Sequence, residues 1–228
     1  MHRTLTPAEL ARDLAIPDLT EAPHAIALLV DLAAQALRDR WACAVHVHRG
    51  PRVVSVADNY DRLGYRADDV TRDARYTRYV DDDHLLRSHT SALVPAALRV
   101  VATGGVGDGG AGGAGADDVL LVCPGITYRR DAIDRLHTGT PHQVDLWRVR
   151  RGPHRPLTPA HLDGMIDTLV RALLPGHDHR CEPRTHPYTR AGRQIDVRVG
   201  DEWVEIGECG LAHPDVLRDA GLDPREWT

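Results

Sequence analysis

With 228 residues, 28 basic against 33 acidic side chains and a formal net charge of −5, the chain has room for one medium domain, and neither a large multidomain machine nor nucleic-acid binding by bulk positive charge fits it. It contains no lysine, so every cation outside histidine is an arginine, and it has no phenylalanine; lysine-ended phosphate loops and Schiff-base lysine chemistry are both excluded. Serine occurs only at Ser55, Ser88 and Ser91, none of them in a G-x-S-x-G elbow, which argues against a serine hydrolase.

Cys43, Cys123, Cys181 and Cys209 form no C-x-x-C pair and no zinc-ribbon spacing, a usage that fits idle thiols in a reducing compartment. The N-terminal stretch meets Glu9, Arg12 and Asp13 where a signal peptide needs an apolar run, and no 18-residue apolar segment follows. A soluble, cytoplasmic chain with no membrane contact is the expectation.

In chain order, Thr6-Pro7-Ala8-Glu9 carries a capping box with proline at the first helical position, which predicts a short helix over 7–14. Residues 1–23 read as an N-terminal appendage and 24–228 as the core. Ile26, Leu29, Val30, Ala33 and Leu37 fall on one face of a helix over 24–40. Strands follow at 43–48 and 53–56, then a polar loop to about residue 80, then a helix capped by Thr90 or Ser91 and running to about Val101. The glycine-rich stretch 103–118 precedes a strand rather than a helix and has no lysine, so it reads as a flexible linker rather than a phosphate loop. The strand starting at Val119 continues to Arg129 and, across a polar loop at 130–141, pairs with a strand over 142–149 as a long antiparallel hairpin. Thr158-Pro159 opens a helix with Leu162, Met165, Ile166, Leu169 and Leu173 on one face. Strands at 194–199 and 202–206 turn at Gly200-Asp201, and a short helix spans 215–220. The pattern is α+β, not doubly wound.

Alternation along 142–149 puts Gln143 and Asp145 on one face and Val144 and Leu146 on the other. The polar face is either ligand-facing or a solvated sheet surface. His186 and Tyr188 share one side of an extended segment, as ligand contacts or as core edge. The fourteen histidines include His46-Val47-His48 but no matched set of zinc ligands. Arginine runs such as Arg148-Val-Arg150-Arg151 read as solvated faces.

Five ordered segments then bear on identity: Leu85-Leu-Arg-Ser-His-Thr-Ser91; Tyr128-Arg-Arg-Asp131; His137-Thr138 with His142-Gln143; His186-Pro187-Tyr188-Thr189; and Trp203-Val-Glu-Ile-Gly-Glu-Cys-Gly210 with His213-Pro214. Together they make residues 24–228 resemble the catalytic domain of the phenylalanyl-tRNA synthetase alpha chain. The resemblance implies a class II core, an antiparallel sheet flanked by helices, that uses ATP and Mg2+ to form an aminoacyl adenylate and passes it to tRNA. It assigns the ATP α-phosphate to Arg129, further nucleotide contacts to Asp131 and His137, and the amino acid to His89, Ser91, Gln143, Asp145, His186 and Tyr188. Glu205 is either a magnesium ligand or a core-edge carboxylate. The helix over 24–40 takes the place of the class II dimer motif, which implies a homodimer or a beta-type partner subunit. Where the family reads Phe-Pro-Phe-Thr-Glu-Pro, this chain has His186-Pro187-Tyr188-Thr189-Arg190-Ala191. That departure brings in two further readings: a paralogue that activates another amino acid for a non-tRNA acceptor, or a degenerate binding or regulatory protein. Aligned on the resemblance, Thr228 falls just ahead of motif 3, so the expectation is an incomplete core of weak or no activity.

Overall fold

The computed structural model describes residues 3–106, 116–130, 133–152, 154 and 156–228; Asp131 and most of the glycine-rich stretch 103–118 lie outside the described residues. Helix α1 (Pro7–Leu14) begins with the expected capping box: Glu9 N donates to Thr6 Oγ1 at 3.2 Å and Thr6 N donates to Glu9 Oε2 at 2.8 Å. Helix α2 (Ala25–Trp41) buries Val30, Ala33 and Leu37. Its buried stripe is narrower than the periodicity implies, because Leu29 is 47% exposed, beside Leu28 at 69% and Leu32 at 46%.

Strand β1 (Ala44–Val47) pairs in parallel with β5 (Asp118–Ile126), which pairs antiparallel with β6 (His142–Arg150). The predicted hairpin is therefore present, but its sheet also carries a parallel edge. Alternation sorts the two faces. Leu120 and Val122, joined by Val144 and Leu146, pack toward α2, while Val119, Leu121 and Cys123 pack toward α4 (Val94–Ala102) and α6 (Pro214–Asp219). The second helical layer is completed by α5 (Pro159–Leu173), capped by Thr158 and His161; its Leu162, Ile166 and Val170 are buried against the sheet of β7 (His179–Pro183), β8 (Thr189–Val199) and β9 (Glu202–Ala212).

The region up to residue 80 carries more order than its polar composition suggests. Strand β2 (Val53–Ser55) leads into a short helix α3 (Val56–Asn59), and β2, β3 (Arg78–Tyr79) and β4 (His84–Leu86) form a small sheet over Tyr60, Tyr79 and Leu85. The expected cap at Thr90 or Ser91 is not used. A 3-10 turn, Thr90–Leu93, precedes α4, and neither helix start has a side-chain cap bond. Both hydroxyls are engaged elsewhere, as described below.

Residues ahead of α2 pack into the core. Leu5, Leu10 and Ile16 cover Leu86, Ile126 and Tyr128, and Asp18 forms an ion pair with Arg87 in which each side chain is 2% exposed. Arg87 also donates to the carbonyls of Ile126 and Gly50, while Ile126 N donates to Asp18 at 2.9 Å. Gly125 is required here because a Cβ would lie 2.0 Å from Arg87 Nη2.

Candidate active site

The hairpin sets the site. Strands β6 and β9 do not pair with each other, and consecutive residues of both wall a cavity of about 1190 Å³ whose far side is formed by α2 and α5. Arg129, His89, Ser91, Gln143, Asp145, His186, Tyr188 and Glu205 all line it. The structure thus brings together eight of the ten residues singled out above. His137 is not among them: it is exposed and closes a local turn, with Nδ1 2.8 Å from Asp134 Oδ1. Asp131 lies outside the described residues.

Asp145 lines the cavity from the face of β6 opposite Val144 and Leu146, which also border it. It accepts from Thr90 Oγ1 at 2.7 Å, from Ser91 Oγ at 3.1 Å and from Trp147 Nε1 at 3.1 Å. All three donors are neutral, and among the described residues no cation pairs with it. Burial pushes its pKa up, against the lowering effect of the three hydrogen bonds. A carboxylate held only by neutral donors in a cavity could hold a cationic group.

Arg129 stands three residues past the end of β5. Its Nε donates to Ser88 O at 2.9 Å, and among the described residues it makes no ion pair. The guanidinium lines the cavity with no carboxylate in ion-pair contact, Glu205 acting on it only at longer range, and its fork suits a phosphate or carboxylate. Beside it, His89 stacks on Tyr65 with ring centroids 5.9 Å apart. Both of its ring nitrogens are buried without a well-formed hydrogen bond, though the backbone of Asn59 acts on the ring. Burial, and then the charge of Arg129, bring its pKa down to about 3, so the imidazole is neutral at physiological pH.

Tyr188 packs between Trp147 (6.5 Å) and His186 (5.7 Å), and burial, then the nearby Asp145, push its phenol up to about 12. His186 Nε2 lies 2.6 Å from Glu208 Oε2, and Arg184 Nε donates to Glu208 Oε1 at 2.8 Å. The His186 hydrogen bond holds Glu208 below the usual carboxylate range.

Glu205 carries a raised pKa, from burial and from Glu208. The two carboxylates share a face despite their spacing, because the register shifts between Ile195 opposite Gly207 and Asp196 opposite Glu205, adding one residue to β9. Among the described residues no three His, Cys, Asp or Glu side chains group to hold a metal. A magnesium ion bound mainly by phosphates and water needs only one or two protein carboxylates, and the Glu205 oxygens, disfavoured as an anion by Glu208, suit it.

Sequence reading missed several participants. Trp147 was legible, being two residues beyond Asp145 on the same strand. Sequence pattern alone marks Thr90 only as a candidate helix cap. Tyr65 and Tyr60 lay in a segment read as polar loop, and Glu208 was hidden by the bulge.

Residues 34–228 match the family described as tRNA synthetases class II core domain (F). The chain is 32% identical over 225 residues to the phenylalanine–tRNA ligase alpha subunit of Mycobacterium avium, covering 93% of this chain and 59% of that protein. It is 30% identical over 230 residues to the corresponding subunit of Corynebacterium glutamicum, covering 96% and 62%. The chain spans about three fifths of the length of these curated relatives. A solved pyrrolysyl-tRNA synthetase, PylSc of Desulfitobacterium hafniense, superposes with a TM-score of 0.58 at 16% identity, over 89% of this chain and 64% of that one, a likeness of fold alone. Among the described residues no helix is long and apolar enough to cross a membrane.

Proposed function

The chain belongs to the class II tRNA synthetase core family, and from that premise we propose that its cavity binds ATP and an amino acid and joins them as an aminoacyl adenylate. One observation carries the reading: an unpaired guanidinium at Arg129 and a carboxylate with only neutral partners at Asp145 face the same cavity. An anion and an ammonium group bound together satisfy both, which is what a nucleotide beside a zwitterion offers.

In this reading the amino-acid carboxylate attacks the α-phosphorus in line, a new acyl–phosphate P–O bond forms, the bond to the β-phosphate breaks, and pyrophosphate leaves. Arg129 neutralises charge on the α-phosphate, and Asp145 with Gln143 holds the α-amino group. Little proton transfer is needed, so positioning and electrostatics are the protein's contribution. Neutral His89 and Ser91 complete the polar floor. Bound through Glu205, magnesium would neutralise phosphate charge. His137 has no assigned contact here, and Asp131 keeps the nucleotide role implied by the resemblance.

A second reading concerns the substrate. The wall formed by His186, Tyr188 and the Glu208–Arg184 pair is polar. An apolar side chain would cover the His186–Glu208–Arg184 network and take water from it without offering a further hydrogen bond. That wall favours an amino acid with a hydrogen-bonding side chain over phenylalanine, with tRNA or a carrier as acceptor. The names of the relatives point to tRNA and to a beta-type partner. The exposed Leu28, Leu29 and Leu32 of α2 offer an apolar surface for that partner or for a second copy. ATP–pyrophosphate exchange across the twenty amino acids tests the proposal. Exchange with a polar amino acid supports both readings, exchange with phenylalanine alone removes the second, and ligand binding without any exchange favours a non-catalytic binding protein.

A further inference from the structure

We infer that Asp13, carried by α1, is a positioning residue for Arg129: through Arg78 it clamps the base of the 130–138 segment and so fixes where the Arg129 guanidinium stands. The inference rests on the reading of Arg129 as the phosphate ligand.

Two backbone bonds close the base of the segment, Arg129 N to Gly139 O at 2.9 Å and Thr127 N to Pro141 O at 2.8 Å. A single side-chain nitrogen then bridges the carbonyls on either side, since Arg78 Nη2 donates to Arg129 O at 2.7 Å and to Gly139 O at 3.0 Å. The other terminal nitrogen, Nη1, donates to Asp13 Oδ2 at 2.8 Å. Both partners are sequestered, with side-chain exposures of 15% for Arg78 and 4% for Asp13. The approach is close enough that a Cβ on residue 139 would lie 2.9 Å from Arg78 Nη2, which accounts for Gly139. Below, the ring of Tyr128 lies 5.9 Å from the Arg78 guanidinium carbon.

The geometry requires the arginine fork. One planar group meets a carboxylate on one nitrogen and two carbonyls on another, which a lysine ammonium on a flexible stem cannot reproduce. The N-terminal segment is registered on the strand that supplies Arg78: Leu5 N donates to Tyr79 O at 2.7 Å, and Thr4 bridges Tyr79. Arg129 is consequently held at three points, by its N–H on Gly139 O, by its carbonyl through Arg78 and by its Nε through Ser88 O, which leaves its terminal nitrogens for a ligand.

The test uses the full chain and the variants Asp13→Asn, Arg78→Lys and Arg78→Met. Amide hydrogen exchange over 127–141 reads the clamp, urea unfolding reads global stability, and calorimetric titration with ATP reads the consequence. The expected result is that Arg78→Lys and Arg78→Met each accelerate exchange in 127–141 by at least about tenfold and weaken ATP binding by a similar factor, with Asp13→Asn at about threefold. The lysine variant separates positioning from structure, because a role that needed only positive charge would be rescued by it. Wild-type exchange and affinity in Arg78→Lys, or exchange in Asp13→Asn that rises uniformly along the chain, would overturn the inference. A wild-type chain that fails to bind ATP removes the reading of Arg129, and the exchange data alone then decide the clamp.

Discussion

Asp145→Asn separates a binding role for Asp145 from a structural one because the two predict opposite outcomes. In the native chain the carboxylate accepts at 2.7–3.1 Å from Thr90, Ser91 and Trp147 and pairs with no cation among the described residues. Its pKa is raised by burial, so the folded state holds the proton more tightly than the unfolded one. The stabilisation tied to that shift is present at low pH and lost as pH rises through the folded value, which means that ionised Asp145 costs stability at neutral pH. Asparagine removes that cost. It keeps an oxygen for Trp147, and its amide group meets two hydroxyls able to turn and accept. Urea unfolding at pH 7 is therefore expected to lie within about 1 kcal/mol of wild type, on the stable side. Binding moves the other way. A charge-assisted hydrogen bond to an ammonium is worth about 1.5–3 kcal/mol, so the KM for the amino acid in pyrophosphate exchange should rise roughly 10- to 150-fold at saturating ATP. An unchanged KM combined with a loss of more than about 2 kcal/mol in stability would refute the reasoning and make Asp145 a purely structural acceptor.

Removing one partner of the buried Asp18–Arg87 pair, in Asp18→Ala, strands a guanidinium that is 2% exposed, and urea unfolding should show a loss of about 3–5 kcal/mol. Gly125→Ala places a Cβ 2.0 Å from Arg87 Nη2 and should cost about 1–3 kcal/mol by the same measurement; a neutral result would mean that Arg87 moves freely. His89 is held neutral, its pKa lowered from 6.5 to about 3, so the unfolded chain binds the extra proton between those values. Stability should therefore fall by up to about 1.4 kcal/mol per pH unit on acidification through that window, and His89→Phe should flatten the slope, parallel curves counting against it.

Local rules made the regular elements legible. The capping box at Thr6 and Glu9, the apolar spacing of α5 and the β5–β6 hairpin follow from capping chemistry and from side-chain periods of 3.6 and 2. The same alternation separates Gln143 and Asp145 from Val144 and Leu146, which pack toward α2 on the other face of β6. What stayed hidden depends on tertiary partners. Thr90 and Ser91 look like caps until Asp145 arrives from a strand 54 or 55 positions away and takes their hydroxyls. Tyr60 and Tyr65 sit among charged residues whose arginine–aspartate pairs are local, so the composition signals loop although the rings pack inward. The bulge at Ile206, opposite the Ile195–Asp196 step of β8, reverses the facing of Glu208, which strict alternation cannot foresee.

The absence of lysine acquires a structural meaning at the end of β5. Arg52 donates to the carbonyls of Leu14 and Ile16, Arg87 to those of Gly50 and Ile126, Arg78 to those of Arg129 and Gly139, and Arg129 to that of Ser88. Three of the four use separate nitrogens or a bridging one to hold backbone from two places at once, a task that suits a rigid planar donor and not an ammonium. The two buried anions that balance this frame, Asp13 and Asp18, both come from the segment ahead of α2. Arg52 and Arg129 form no ion pair among the described residues, and of the four only Arg129 lines the cavity. A frame that neutralises Arg78 and Arg87 from behind and leaves Arg129 open toward the cavity directs its remaining positive charge to the place where a phosphate is proposed to bind.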